Sequence, residues 1–120
     1  MDRVDVVVID NDYGIRWIMR EILSVAGIPH RVTGEGAEGI AMAQEHKPRL
    51  AIVDLNLGGM TGLQVARKIH EVSDDTRVLV VTGYLGEIEG ALHYPPIVGV
   101  IEKPFDVDKL LEAVRGILGK

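Results

Sequence analysis

The sequence predicts an α/β fold in a single domain, and three observations carry that expectation. Short β-branched runs alternate with longer stretches of helical periodicity. The alternation is sustained from one end of the chain to the other, and several of the short runs are apolar almost throughout, as strands covered on both faces are.

The elements follow in order. Val4 to Ile9 reads as the first strand. The first helix is expected over Tyr13 to Val25, because Ile15, Ile18, Met19, Ile22, Leu23 and Ala26 recur at three- and four-residue spacing. Gly27 and Pro29 stop it and lead into a second strand, His30 to Thr33. The second helix, about Ala37 to Glu45, is small and Ala-rich, and Pro48 turns the chain into a third strand, Leu50 to Val53. Leu63, Ala66 and Ile69 share one face of a third helix, about Leu63 to Val72. Val78 to Val81 is the fourth strand. Between Thr82 and the fifth strand, Val98 to Ile101, stand Gly83, Gly86, Gly90, Pro95 and Pro96. Each lowers helix propensity, so only a short or distorted helix is expected near Glu87 to Leu92. The last helix, Val107 to Leu118, has Asp106 as its N-cap and Val107, Leu110, Leu111, Val114 and Leu118 on one side.

Composition excludes several function classes. At 120 residues, 47% hydrophobic, the chain can bury a core without staples, and with no Cys it has no disulfide framework, cysteine nucleophile or thiolate zinc site. A net charge of −5 with no basic run disfavours nucleic acid as a partner. The apolar run Val6 to Ile9 is too short for a signal core or membrane span, so a cytoplasmic protein is expected. Residues 1–120 read as one domain without linker, repeat or output domain.

Chemistry collects just beyond the strands. In open parallel sheets ligands bind outside the carboxyl ends of the strands, and there the chain places Asp10, Asn11 and Asp12, then Asp54, Thr82, and Lys103 followed by Pro104. Gathered carboxylates repel one another, and Mg²⁺ is the usual neutralising ion. A lysine and a hydroxyl beside them suit a phosphoryl group, whose transfer needs positioning and charge neutralisation. Asp54, between apolar Val53 and Leu55, is the candidate nucleophile for an acyl phosphate.

The pieces VVVIDND, Ile15-Arg16, AIVDLNLGGMTGLQVARKI, VLVVTGY and VIEKPFDVDKLLEAV occur in this order. From Val4 to Leu118 the sequence resembles the receiver domain of two-component response regulators, of the single-domain type. The resemblance implies a flavodoxin-like, doubly wound parallel sheet of five strands in order 2-1-3-4-5. It implies that Asp54 is the phosphoacceptor and that Thr82 and Lys103 bind the phosphoryl oxygens. Mg²⁺ would be held by Asp10, Asn11, Asp54 and the backbone carbonyl of Asn56. The phosphoryl donor would be a sensor histidine kinase or a histidine phosphotransfer protein, and phosphorylation would shift contacts with an unnamed downstream protein. Such a domain catalyses only its own phosphorylation and dephosphorylation.

Three departures from the family pattern stand out. Asn11 occupies the second acid position, where an amide oxygen brings no formal charge, and Asp12 comes one residue too late for the usual pair, although it is a candidate for partial compensation. Val100 replaces the aromatic three residues before the lysine. Tyr84 either takes that mobile role or packs over the site. Gly58 stands where Pro is common and is expected to loosen the loop after Asp54.

Other readings compete. A degenerate receiver that binds partners regardless of phosphorylation is favoured by Asn11 and Val100 and opposed by the retained Asp54, Thr82 and Lys103. A small aspartate-nucleophile phosphatase could begin with Asp10-x-Asp12, yet the later paired acids and any cap are missing. Gly34, Gly36 and Gly39 spell a dinucleotide fingerprint, but after the second strand and beside Glu35 and Glu38 they read as a flexible turn. His30, His46, His70 and His93 show no ligand spacing and read as surface or rim residues. Trp17 lies off the apolar face of its helix, either as a docking anchor for the kinase-side bundle or part-buried against a loop.

Overall fold

The computed structural model describes residues 3–83 and 95–119. Its centre is a parallel five-stranded sheet in order β2-β1-β3-β4-β5. The strands are β1 Val6–Ile9, β2 His30–Thr33, β3 Leu50–Asp54, β4 Arg77–Thr82 and β5 Ile97–Glu102. Among the described residues the helices are α1 Tyr13–Val25, α2 Gly36–His46, α3 Gly62–Val72 and α4 Val107–Leu118. This is the expected flavodoxin-like arrangement.

Strand composition follows from position in the sheet. β1 and β3 are buried at every residue and β4 at all but Arg77, because each lies between two neighbours and under helices on both faces. The edge strands β2 and β5 are only part-buried. Alternate side chains of the inner strands feed opposite layers. Val7, Ile9, Val53 and Val80 pack with Ala43 of α2 and with Val65, Ala66 and Ile69 of α3. Val6, Val8, Ile52 and Val81 pack with Met19 and Leu23 of α1 and with Leu110, Val114 and Leu118 of α4.

Local signals set the helix starts. Asp12 caps α1, accepting from the Ile15 N–H at 3.1 Å, and Asp106 caps α4. Thr61 and Gln64 form a reciprocal capping box at α3.

The structure corrects several expectations. The first strand begins at Val6, although Val4 is buried before it. Ile18 and Val107, expected in the core, are exposed, the first beside Trp17 and the second at the opening residue of α4, while Val65 on α3 is fully buried. Gly36 and Gly39 form no turn: both lie inside α2 and are buried. A Cβ at Gly39 would stand 2.2 Å from Ile9 Cδ1, and one at Gly36 would stand 2.9 Å from Val65 Cγ2. These glycines let α2 approach β1 and α3 closely. Along β5 the register shifts beside Val78/Leu79, a bulge on the edge strand that the sequence pattern did not suggest. The helix expected near Glu87 to Leu92, with Tyr84 and His93, lies outside the described residues.

Candidate functional site

Because all five strands run parallel, the residues at their carboxyl ends share one edge. Asp10 follows β1, Asp54 closes β3, Thr82 closes β4 and Lys103 follows β5. Register then sets their spacing. Asp54 pairs with Val81, and Thr82 with Glu102. Beyond the last rungs the Leu55 N–H donates to the Val81 carbonyl at 3.2 Å and the Lys103 N–H to the Thr82 carbonyl at 2.7 Å.

The side chains converge on one ammonium. Lys103 Nζ donates to Asp10 Oδ2 at 3.0 Å and lies 3.6 Å from Asp54 Oδ1. Asp10, Asp54 and Thr82 are buried, at 2%, 7% and 3% exposure, so the two carboxylates share the Lys103 ammonium in a poorly solvated setting. Burial and then the charge of Asp10 raise the Asp54 carboxyl above its ordinary value, against the opposing pull of Lys103 and of the Asn56 N–H. A carboxylate held this way is a better base and nucleophile than one in water, and the pair is short of positive charge. That deficit suits a hard divalent cation with oxygen ligands.

The sequence-predicted residues do not all converge equally. Asn56 donates its N–H to Asp54 Oδ1 at 3.3 Å and takes the Gly58 N–H at 3.4 Å on its own Oδ1. Asn11 is exposed, directly after Asp10. Asp12 is exposed, and its Oδ1 is engaged in capping α1. Among the described residues no group of three or more His, Cys, Asp and Glu is arranged to hold a metal.

Gly58 has a conformational role of its own. Its φ of 80° lies in the left-handed region, which the ring of Pro cannot adopt. Two further contributors lie in the quoted pieces but were given no role from sequence. Gly62 opens α3 directly on the strand end, donating its N–H to the Leu55 carbonyl at 2.7 Å. Arg16 reaches back from α1 to donate to the Asp10 carbonyl at 2.9 Å. A cavity of about 790 Å³ lined by Lys47, Arg49, His70, Arg77 and Pro96 opens at the opposite edge of the sheet and includes none of these residues.

The family model for the response regulator receiver domain matches residues 6–115. The chain belongs to that family. It is similar to sporulation initiation phosphotransferase F of Bacillus subtilis, with 26% identity over 94% of this chain and 92% of that protein. It is 33% identical to the acid tolerance regulatory protein ActR of Sinorhizobium medicae, of which it spans 56%. Among solved structures, a receiver domain protein of Methanospirillum hungatei superposes with a TM-score of 0.89 at 25% identity, covering 98% of this chain and 95% of that one. TrrA of Thermotoga maritima, solved in complex with Mg²⁺-BeF, superposes at 0.83 with 26% identity, covering 98% and 99%. No helix of the described residues is long and apolar enough to cross a membrane.

Proposed function

We propose that this receiver domain accepts a phosphoryl group on Asp54 from a histidine of a sensor kinase or phosphotransfer protein, and that the modified form switches protein contacts. The observation carrying this reading is the bridge from Lys103 to both Asp10 and Asp54 at the carboxyl edge of the sheet. An ionised Asp54 oxygen attacks phosphorus, the bond from phosphorus to the donor imidazole nitrogen breaks, and that nitrogen keeps the electron pair. The product is an acyl phosphate, which water later cleaves to carboxylate and inorganic phosphate. In this reading Lys103 and the Thr82 hydroxyl bind the phosphoryl oxygens.

Asp10, Asp54, Asn11 and the Asn56 carbonyl are the residues that would hold Mg²⁺. The ion supplies neutralisation of phosphoryl charge. Its fit rests on the cation-poor carboxylate pair, and with Asn11 in place of an acid the binding is weak for the family. On α1, beside the acid pocket, Tyr13 and Trp17 stand one turn apart at 70% and 54% exposure. Aromatic side chains so placed support docking of the histidine-bearing partner on this face.

The test is intact mass after incubation with acetyl phosphate, with and without Mg²⁺, for the wild type and Asp54→Ala. One added phosphoryl group that requires Mg²⁺ and vanishes in Asp54→Ala is the expected result. A folded wild type that gains no mass from acetyl phosphate, and none from a histidine phosphotransfer protein loaded with phosphate, would overturn the reading in favour of a phosphorylation-independent binding module.

A further inference from the structure

Asp10 is held at every polar group it has. Its N–H donates to the Thr33 carbonyl at 3.0 Å, Oδ1 accepts from the Asp12 N–H at 2.9 Å, and Oδ2 accepts from Lys103 Nζ at 3.0 Å. The remaining group is its carbonyl, just past the end of β1. Arg16 Nη1 takes that carbonyl at 2.9 Å. Two neighbours shape the space the guanidinium occupies. The Tyr13 ring centroid lies 5.7 Å from Arg16 Cζ, within cation–π range. Gly34 leaves a notch on the other side: a Cβ there would stand 2.7 Å from Nη1 and 3.2 Å from Cζ.

We propose that Arg16, seated in the Gly34 notch, is a positioning residue for the acid pocket. By fixing the peptide plane after β1 it aims the Asp10 carboxylate at Lys103 and Asp54, and so sets the affinity of the pocket for a divalent cation. The inference rests on the reading of Asp10 and Asp54 as cation ligands. Groups that orient a ligand are worth about ten- to a hundredfold in metal affinity. Arg16 also brings a positive charge, which by itself would repel a cation, so the geometric and the Coulombic effects have opposite signs.

Gly34→Ala separates them. It leaves the charge in place, and what it displaces is the far end of a flexible side chain, so the fold bears little strain. Arg16→Gln removes the charge and the fork together. Mg²⁺ affinity is measured by calorimetry, without phosphodonor, on the wild type, both single variants, the double variant and Asp10→Asn, with thermal unfolding in chelator as the fold control.

Arg16→Gln and Gly34→Ala are each expected to weaken Mg²⁺ binding about tenfold. The double variant should be no weaker than Arg16→Gln alone, because the notch acts only through the arginine. Metal-free unfolding of Gly34→Ala should match that of the wild type. Arg16→Gln binding Mg²⁺ as tightly as the wild type or tighter, or Gly34→Ala matching the wild type, would overturn the inference while leaving the acid pocket intact. Losses that multiply in the double variant would overturn it as well. Mg²⁺ affinity unaltered by Asp10→Asn, or absent from the wild type, would remove the acid-pocket reading and this inference with it.

Discussion

Gly62→Ala removes no functional group, yet it acts on the backbone that carries Asp54. A Cβ at this position would stand 2.4 Å from the Asp54 carbonyl oxygen and 2.7 Å from Leu55 Cα. Carbon-to-oxygen contacts settle at about 3.3 Å or more, so α3 and the end of β3 must part by roughly 1 Å. Both sides of the contact are main chain, and neither can turn away as a side chain would. Overpacking of this kind costs about 1–3 kcal/mol. The parting also stretches the bond from the Gly62 N–H to the Leu55 carbonyl, now 2.7 Å, whose loss adds about 1 kcal/mol. Against this, Ala is the better helix former by at most about 1 kcal/mol.

The net expectation is a loss of about 2 kcal/mol, which for a domain of this length lowers Tm by about 8 °C. Thermal unfolding followed by circular dichroism measures it directly. Gly59→Ala, in the loop just before α3, is the control, because nothing lies within 4 Å of a Cβ there. It should stay within about 0.5 kcal/mol of the wild type. Mg²⁺-dependent phosphorylation by acetyl phosphate should slow in Gly62→Ala and not in Gly59→Ala, because only the former moves the Asp54 backbone. Equal stability of the two variants would refute the reasoning, since it would mean that the close approach at Gly62 does not hold α3 on the site.

Other consequences can be checked alongside. Asn11→Asp adds a formal charge next to the pair and should tighten Mg²⁺ binding in calorimetry; unchanged affinity would exclude that position from the cation site. Asp12→Ala should cost about 1 kcal/mol in urea unfolding through loss of the α1 cap while leaving Mg²⁺ affinity unaltered. For Asp54 the folded carboxyl is raised above 3.8, so the folded state holds its proton to higher pH than the unfolded chain does. Stability is thus lost as pH rises from 3.8 through the raised value, and Asp54→Asn should unfold at higher denaturant than the wild type at neutral pH. That advantage should fade below pH 3.8, where both states of the wild type are protonated; an advantage independent of pH would contradict the assignment.

Much of this fold was legible because its determinants are local or periodic. Apolar runs mark β1, β3 and β4 as central, since burial on both faces leaves no polar positions to break the pattern. Asp106 and the spacing of Leu110, Val114 and Leu118 define α4 to its ends. Strand order is a different matter. Nothing local in the chain says that β1 lies between β2 and β3, and that expectation came through family resemblance. Ile18 and Val107 show the limit of periodicity, because a residue at the margin of an apolar stripe, or at the first turn of a helix, fits the pattern yet stays partly exposed, here at 37% and 44%.

The site divides along the same line. Asp10, Asp54, Thr82 and Lys103 were visible as chemistry at strand ends, because parallel strands bring their carboxyl ends to one edge whatever the register. Contacts that join distant segments through a small residue were not visible. Gly34, Gly36 and Gly39 look like a motif or a turn in one dimension. In three dimensions each makes room for a particular partner: the Arg16 guanidinium, Val65 and Ile9. A glycine chosen for what it admits carries no mark of what enters, and only the packed structure distinguishes it from one chosen for its φ, as at Gly58. Arg16 belongs to the same class. Its hold on the Asp10 carbonyl is made beside Gly34, which arrives from the end of another strand.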